Sequence, residues 1–164
     1  MTFDRRRRPT GPLAMTLCVL TLAIGSREAF ADADCHNVRG RITIQALTGP
    51  DCISPVGLCL TGTIVGALRG DYSFTASALI PSADTPLTGV LFSTGDTTLE
   101  TPGGTLFTKD ALALATSGAG EFSDLSIITG GTGDWAGAFG TLTITGAYGA
   151  GQGEAVYSGE VCTP

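Results

Sequence analysis

Two carboxylates occupy strand-like segments of this sequence in which apolar and hydroxylated residues alternate. A period of two residues places Asp96 on one face with Phe92, and Asp110 on one face with Leu106 and Leu112. We therefore expect Asp96 and Asp110 to point with the apolar residues into the interior. A buried carboxyl group has a raised pKa and can act as a general acid or base. The alternative is that each carboxylate is solvated near a strand end or caps a turn.

Aromatic residues are the second group that could contact a ligand in such an interior. Tyr72 and Phe74 are two residues apart and so share one face, and Tyr157 lies in the last strand-like run, at 154–162. The alternation predicts Tyr72, Phe92 and Tyr157 as contacts for a small ligand, and the alternative is that they only fill the core. No catalytic residue can be assigned from these patterns.

Other site chemistries fit the sequence poorly, so we expect no metal and no cofactor. His36 is the single histidine and no C-x-x-C spacing occurs, which disfavours zinc. A Ser-His-Asp triad would have to use this histidine beside a cysteine near a processed N-terminus. The GGTG run at 130–133 resembles a dinucleotide-binding turn, but the next glycine comes four residues later, where that signature expects three. A strand pattern rather than a helix then follows.

The elements that must position these residues are predicted to be strands. The 164 residues include 24 glycines and 24 threonines, and only 15% are charged, which favours a pleated, turn-rich structure over helices. Strand-like runs separated by Gly and Pro turns occur at 41–47, 59–68, 71–80, 88–98, 105–114, 122–129, 141–148 and 154–162. Connections too short for helical crossovers predict an antiparallel meander that closes into a barrel of about eight strands. The alternative is an immunoglobulin-like sandwich, although Trp135 lies on a glycine-rich loop rather than between bridged cysteines.

One segment resembles a known family. Residues 127–146 contain GGTG, one further residue, an aromatic, Ala-Gly and a closing Gly before a strand, with the key positions Gly130, Gly131, Gly133, Trp135, Gly137 and Gly140. This pattern resembles the late motif of the allene oxide cyclase and dirigent barrel superfamily. The runs SPVGLC at 54–59 and GEVC at 159–162 are similar to those of exported bacterial members.

The resemblance implies an eight-stranded antiparallel barrel with an inner cavity. Characterised relatives cyclise or steer reactive small molecules in that cavity, using carboxylates and other groups on the strands, and other members have no assigned reaction. The matched motif is a loop signature, so it transfers no catalytic residue to this sequence. We interpret its glycines as structural and expect Trp135 to plug one barrel end.

The cysteines predict disulfides. Cys18 lies in the N-terminal segment, which leaves an even set of four: Cys35, Cys52, Cys59 and Cys162. Three pairings are open. A short loop separates Cys52 from Cys59, and closure of a barrel would make the first and last strands neighbours, so we favour Cys52–Cys59 with Cys35–Cys162.

The N-terminal segment predicts export. A cluster of arginines at 5–8, about 12 apolar residues at 13–24 and small residues at 29–31 are typical of a signal peptide cleaved after residue 31. The apolar run is shorter than the roughly 20 residues of a membrane-spanning helix. We expect a single disulfide-bonded domain at 32–164, secreted or periplasmic, with four Lys and Arg residues against thirteen acidic ones. This acidic charge argues against nucleic acid and membrane partners after cleavage.

Three classes of function remain for such a domain. The barrel binds a small hydrophobic molecule, or it is a cyclase or dirigent-like enzyme, or it is a non-catalytic structural or protein-interaction module. An enclosed cavity of about 300 Å³ or more with a carboxylate or tyrosine inside would favour the first two classes, and a barrel filled by side chains would favour the third. The sequence leaves the ligand and homo-oligomerisation open.

Overall fold

The protein is a closed barrel of eight antiparallel strands. The computed structural model describes residues 33–82 and 89–164, so the predicted signal peptide at 1–31 lies outside the described residues. Each strand pairs with the next along the chain, and the last pairs with the first. The strands are β1 (Asp34–Leu47), β2 (Cys59–Gly66), β3 (Gly70–Pro81), β4 (Val90–Thr101), β5 (Gly104–Ala115), β6 (Glu121–Gly131), β7 (Phe139–Gly149) and β8 (Gln152–Thr163). The predicted barrel is confirmed, and the sandwich alternative is wrong.

The first strand begins earlier than its β-branched residues indicate. The sequence predicts a start at residue 41, whereas β1 begins at Asp34 because its polar first residues pair with the end of β8. Asp34 lies opposite Thr163, and the ladder continues to Gln45 opposite Gln152. Backbone hydrogen bonding to a distant strand therefore overrides the weak β propensity of these first residues.

Both predicted disulfides are present. Cys35 and Cys162 lie directly opposite each other on β1 and β8, with a Cα–Cα distance of 4.0 Å. Cys52 and Cys59 close the loop before β2, with a Cα–Cα distance of 5.5 Å. One bridge thus holds the two chain ends together at the seam of the barrel and the other fixes a local loop. Two such bridges are typical of a protein that folds in an oxidising compartment.

Side chains plug one end of the barrel, which we call the closed end and define by the connections at 67–69, 102–103 and 132–138. Leu68 turns inward from the β2–β3 connection and is buried. The buried hydroxyl of Tyr157 accepts a hydrogen bond from the Leu68 amide at 2.8 Å and lies 3.2 Å from the Leu68 carbonyl oxygen, to which it donates. Tyr157 therefore holds this plug in place.

The glycine-rich loop of the sequence motif completes the closed end. Trp135 is half-buried against the core and donates from Nε1 to Thr101 Oγ1 at 2.8 Å. The Asp134 amide donates to the Gly103 carbonyl oxygen at 2.7 Å. The loop is thus bonded to the β4–β5 connection. Of the five motif glycines, Gly131 lacks a positive φ. The other four have one: Gly130, Gly133, Gly137 and Gly140.

Substitution of Gly133 tests whether the stability of this loop depends on the backbone conformation at that position. Gly133 has a φ of +60°, and a Cβ there would collide with the Gly103 carbonyl and come within 3.2 Å of Gly104 Cα. We expect Gly133→Val to lower the free energy of unfolding by at least about 2 kcal/mol, because a β-branched residue is strained at positive φ and the neighbouring backbone cannot yield. Urea unfolding followed by circular dichroism measures this loss.

Gly57→Val is the matched control for Gly133→Val. Gly57 also has positive φ, at +74°, but no described atom lies within 4 Å of a Cβ placed there. We expect a loss of about 1 kcal/mol from backbone strain alone. Equal losses in the two variants would show that the close approach of the two loops contributes nothing, and a neutral Gly133→Val would contradict both the strain and the collision.

Candidate functional site

Buried polar side chains form one wall of the barrel interior. Among the described residues, the six buried polar or charged side chains all belong to the three consecutive strands β4, β5 and β6: Ser93, Thr97, Thr108, Asp110, Asp124 and Ser126. The other strands contribute mainly aliphatic and aromatic side chains to the interior. An interior that is polar on one wall and apolar elsewhere is suited to hold a molecule in one orientation.

Two carboxyl groups lie at the centre of this polar wall. Asp110 pairs with Ser126 across β5 and β6, and Asp124 pairs with Leu112, so the two aspartates are diagonal neighbours on the inner face. Their Cα atoms are therefore about 7 to 8 Å apart. Both residues are buried, with 5% of Asp110 and 6% of Asp124 exposed.

Neighbouring hydroxyl groups satisfy only part of the hydrogen-bonding capacity of this pair. Thr108 donates to Asp110 Oδ1 at 2.9 Å, and Ser126 donates to Asp124 Oδ2 at 3.0 Å. Thr97 and Ser126 also interact with the Asp110 carboxyl group, and the Ala111 backbone interacts with that of Asp124. Within the described residues, three buried oxygens nevertheless lack a hydrogen bond of normal geometry: Thr97 Oγ1, Asp110 Oδ2 and Asp124 Oδ1. Buried polar atoms are rarely left unpaired, so a water molecule or a polar group of a ligand is expected beside these oxygens.

The burial of this site changes the acidity of its members. Desolvation raises the pKa of Asp124 to about 6, and the nearby Asp110 carboxyl acts in the same direction. Desolvation also raises the pKa of Asp110, against the effect of its hydroxyl donors. The pKa of Tyr72 is raised by burial and by both aspartates, so its phenol stays protonated. The site can therefore hold or exchange a proton near neutral pH.

A cavity connects Asp124 with the end of the barrel opposite the closed end, which we call the mouth and define by the connections at 48–58, 116–120 and 150–151. The cavity has a volume of about 40 Å³. Two tyrosines and one carboxyl group line it, and the remaining lining residues are apolar: Ile44, Leu58, Leu60, Phe74, Leu112, Leu114, Phe122 and Ile144, beside Tyr72, Tyr148 and Asp124. Asp124 is the fourth residue of β6, which places it about 10 Å along the strand from the mouth.

The structure corrects two of the five residues that alternation assigned to the interior. Phe92 lies on the outer face with 49% of its surface exposed. Asp96 also points outward, where it forms an ion pair with the exposed Lys109. The prediction chose the wrong face of β4, because the interior side carries Ser93, Thr97 and Leu99.

The other three predicted residues are buried, but only two belong to the polar site. Asp110 lies in the polar wall, and Tyr72 lines the cavity beside Asp124. Tyr157 is buried at the closed end, where its hydroxyl bonds to Leu68. We therefore place Tyr157 in the packing of the closed end and not in the candidate site.

Sequence reasoning missed Asp124 and Ser126, which complete the site. In β6 one face carries Phe122, Asp124, Ser126 and Ile128, and the other carries Leu125 and Ile127, so both faces contain large apolar residues. Alternation alone therefore does not choose the inner face. The inner face of β6 is identified by the pairing of β6 with β5, which places Ser126 opposite Asp110.

The fold and the site together define a closed eight-stranded barrel with a small cavity lined by apolar residues, two tyrosines and Asp124. No family model, curated protein or solved structure matches this chain. Within residues 33–82 and 89–164, no helix has the length and apolar character needed to cross a bilayer. The function of the protein is therefore inferred from the chemistry of the cavity.

Proposed function

We propose that the protein binds a small, mainly apolar organic molecule in the cavity at the mouth. The observation that supports this function is an apolar cavity that ends at a buried carboxyl group with an unpaired oxygen. Apolar walls supply most of the binding free energy of a small ligand, and a few polar groups fix its orientation. Burial of a carboxyl group costs free energy, so an interior used only for packing gains nothing from one at the base of a cavity.

The volume of the cavity limits what enters it. About 40 Å³ corresponds to about three water molecules, so the cavity does not reach the roughly 300 Å³ expected above for a barrel that encloses a ligand. By volume alone the interior is closer to a barrel filled by side chains, which favours a structural or interaction module. The buried carboxyl group at the base of the cavity favours binding instead, so we propose a ligand that is small, or one that inserts only its end while the remainder lies at the mouth.

Filling the cavity tests this proposal. Leu112 lines the cavity, so Leu112→Phe adds bulk to it, whereas Leu125→Phe adds the same bulk on the exposed outer face of β6. Saturation-transfer NMR and titration calorimetry with 1-hexanol as the probe compare both variants with the wild type. We expect at least a tenfold loss of affinity in Leu112→Phe and an unchanged affinity in Leu125→Phe. Failure of the wild-type protein to bind 1-hexanol or a charged analogue of the same chain length would contradict the proposal.

The buried carboxyl pair favours a second candidate, which is acid–base catalysis on the bound molecule by a cyclase or dirigent-like enzyme. Asp124 faces the cavity and, with its pKa raised to about 6, can donate or accept a proton near neutral pH. Turnover of a ligand recovered with the protein, abolished in Asp124→Asn while binding persists, would support it. A barrel in which no ligand binds would instead favour the third class, a structural or protein-interaction module.

We further propose that the protein is exported and is related to the allene oxide cyclase and dirigent barrels. The arginine-rich and apolar segment at its N-terminus supports secretion or transfer to the periplasm, and the two disulfides agree with it. The loop motif at 127–146 and the barrel topology support the relationship. N-terminal sequencing of the protein from its own host tests export, with a start near residue 32 expected and a start at Met1 against it.

A further inference from the structure

The charges of the barrel interior are unbalanced. Two carboxyl groups are buried in the polar wall, yet every basic side chain among the described residues is exposed: His36, Arg39, Arg41, Arg69 and Lys109. The ion pair of Asp96 with Lys109 lies on the outer face, and the side chains of Asp34 and His36, which lie within ion-pair distance of each other, are also exposed. Buried carboxylates in folded proteins are normally paired with a cation, hydrogen-bonded or neutralised by a proton. This interior lacks a cation of its own within the described chain.

We propose that the ligand of the cavity is an organic cation whose protonated amine binds at the Asp124 carboxylate, with Asp110 behind it. This inference rests on the proposed function, because it names the chemical class of the molecule that the cavity takes. The amine lies at the base of the cavity, and the apolar body of the ligand extends past Phe74 and Phe122 towards the mouth.

The unpaired oxygen of Asp124 matches this head group. A primary ammonium has three N–H donors and no acceptor. Asp124 Oδ1 is a buried oxygen without a bond of normal geometry, and its residue lines the cavity, so this carboxylate can accept an N–H group of the ligand. Asp110 adds a second negative charge next to Asp124 without lining the cavity itself. Hydrogen bonds between an ammonium and a carboxylate are charge-assisted and about twice as strong as neutral ones. A hydroxyl head group gains no such compensation of charge, and a carboxylate head group would be repelled.

Apart from Asp110, the groups around Asp124 are uncharged, so the two aspartates determine which ligand charge the site favours. Tyr72 of β3 and Tyr148 of β7 line the same cavity, and burial raises the pKa of both phenols, so both are neutral at physiological pH. The side chains of Thr97 and Ser126 are uncharged. A divalent metal is a poorer match, because Ca²⁺ requires six to eight oxygen ligands and the rest of the cavity lining is apolar.

The test compares three probes of equal chain length on the disulfide-bonded wild-type protein: hexylammonium, 1-hexanol and hexanoate. Titration calorimetry at pH 8 is expected to show hexylammonium binding at least tenfold more tightly than 1-hexanol, with hexanoate weakest. The preference for hexylammonium should disappear in Asp124→Asn. It should persist in Asp96→Asn, which removes an exposed carboxylate on the outer face.

A pH series on the wild-type protein provides a measurement that does not depend on the folding of any variant. An alkylammonium keeps its proton below pH 9, as a lysine side chain does. The preference for hexylammonium should therefore decline as the pH falls through about 6, where Asp124 takes up a proton.

The outcomes separate this inference from the function on which it rests. Equal binding of hexylammonium and 1-hexanol at pH 8 would overturn the inference and leave the proposed function in place. Binding of neither probe would overturn the proposed function and the inference with it. Calorimetric binding of Ca²⁺ that is lost in Asp124→Asn and excludes hexylammonium would assign the carboxylates to a metal and overturn the inference alone.

Discussion

Replacing Cys35 and Cys162 together by serine is expected to lower the free energy of unfolding by up to about 5 kcal/mol. The bridge joins residues separated by 127 positions, so it removes the closure entropy of a long loop from the unfolded chain. It also holds β1 and β8 at the seam that closes the barrel. Urea unfolding of both forms, followed by Trp135 fluorescence and circular dichroism, measures the loss.

Double replacement of Cys52 and Cys59 by serine is the control for loop length. These cysteines are separated by only 7 positions, and the same chain-entropy argument gives a loss of about 2 to 3 kcal/mol. The terminal bridge should therefore stabilise the domain about twice as much as the local one. A larger loss from the local bridge would show that the mouth loop, and not the seam between the first and last strands, limits the stability of the barrel.

Raising the pH from 3 to 8 is expected to destabilise the wild-type protein more than the Asp124→Asn variant, by about 3 kcal/mol. The carboxyl group of Asp124 has an ordinary pKa of 3.8 in the unfolded chain and a pKa of about 6 in the folded protein. Between these values the folded state holds a proton that the unfolded state has released. The proton on Asp124 therefore stabilises the folded state fully below about pH 4, and this contribution is lost as the pH rises through about 6. Its size follows because each tenfold difference in proton affinity between the two states corresponds to about 1.4 kcal/mol.

Measurement of this effect requires unfolding curves at several pH values for both proteins, and Asp96→Asn is the matched control. Asp96 carries the same functional group, but it is exposed and paired with Lys109 on the outer face. Its replacement should leave the wild-type pH dependence nearly unchanged. Burial raises the pKa of Asp110 as well, so a smaller dependence of the same sign should remain in Asp124→Asn. Identical pH profiles for wild type and Asp124→Asn would contradict the burial of this carboxyl group.

The ionised carboxyl pair is thus expected to lower the stability of the barrel above pH 6, and its position beside a cavity points to a function. Asparagine or leucine at position 124 would avoid the cost of desolvating a charge, because a buried carboxylate is less favourable than a neutral side chain of similar size. Groups that lower stability but face a cavity are characteristic of binding and catalytic sites. The stability experiment and the ligand-preference experiment on Asp124 therefore measure two consequences of burying this carboxyl group beside the cavity.

The sequence by itself determined the architecture of this protein. Period-two runs separated by glycine turns specify eight strands, and connections too short for a crossover force neighbouring strands to be antiparallel. Closure of the barrel follows because it removes exposed strand edges, and it places Cys35 beside Cys162. These features depend on local backbone preferences and on chain connectivity, which a single sequence displays.

Only the tertiary structure decided which face of each strand points inward. A period of two residues defines two faces, but β4 carries Phe92 on one and Leu99 on the other, so hydrophobicity does not distinguish them. Paired residues in a ladder point to the same side of the sheet, and Leu99 lies opposite Leu106 while Asp96 lies opposite Lys109. The register between strands therefore turned Asp96 to solvent and brought Asp124 beside Asp110. Register is set jointly by all eight strands when the barrel closes, and for that reason no single segment of the sequence reveals it.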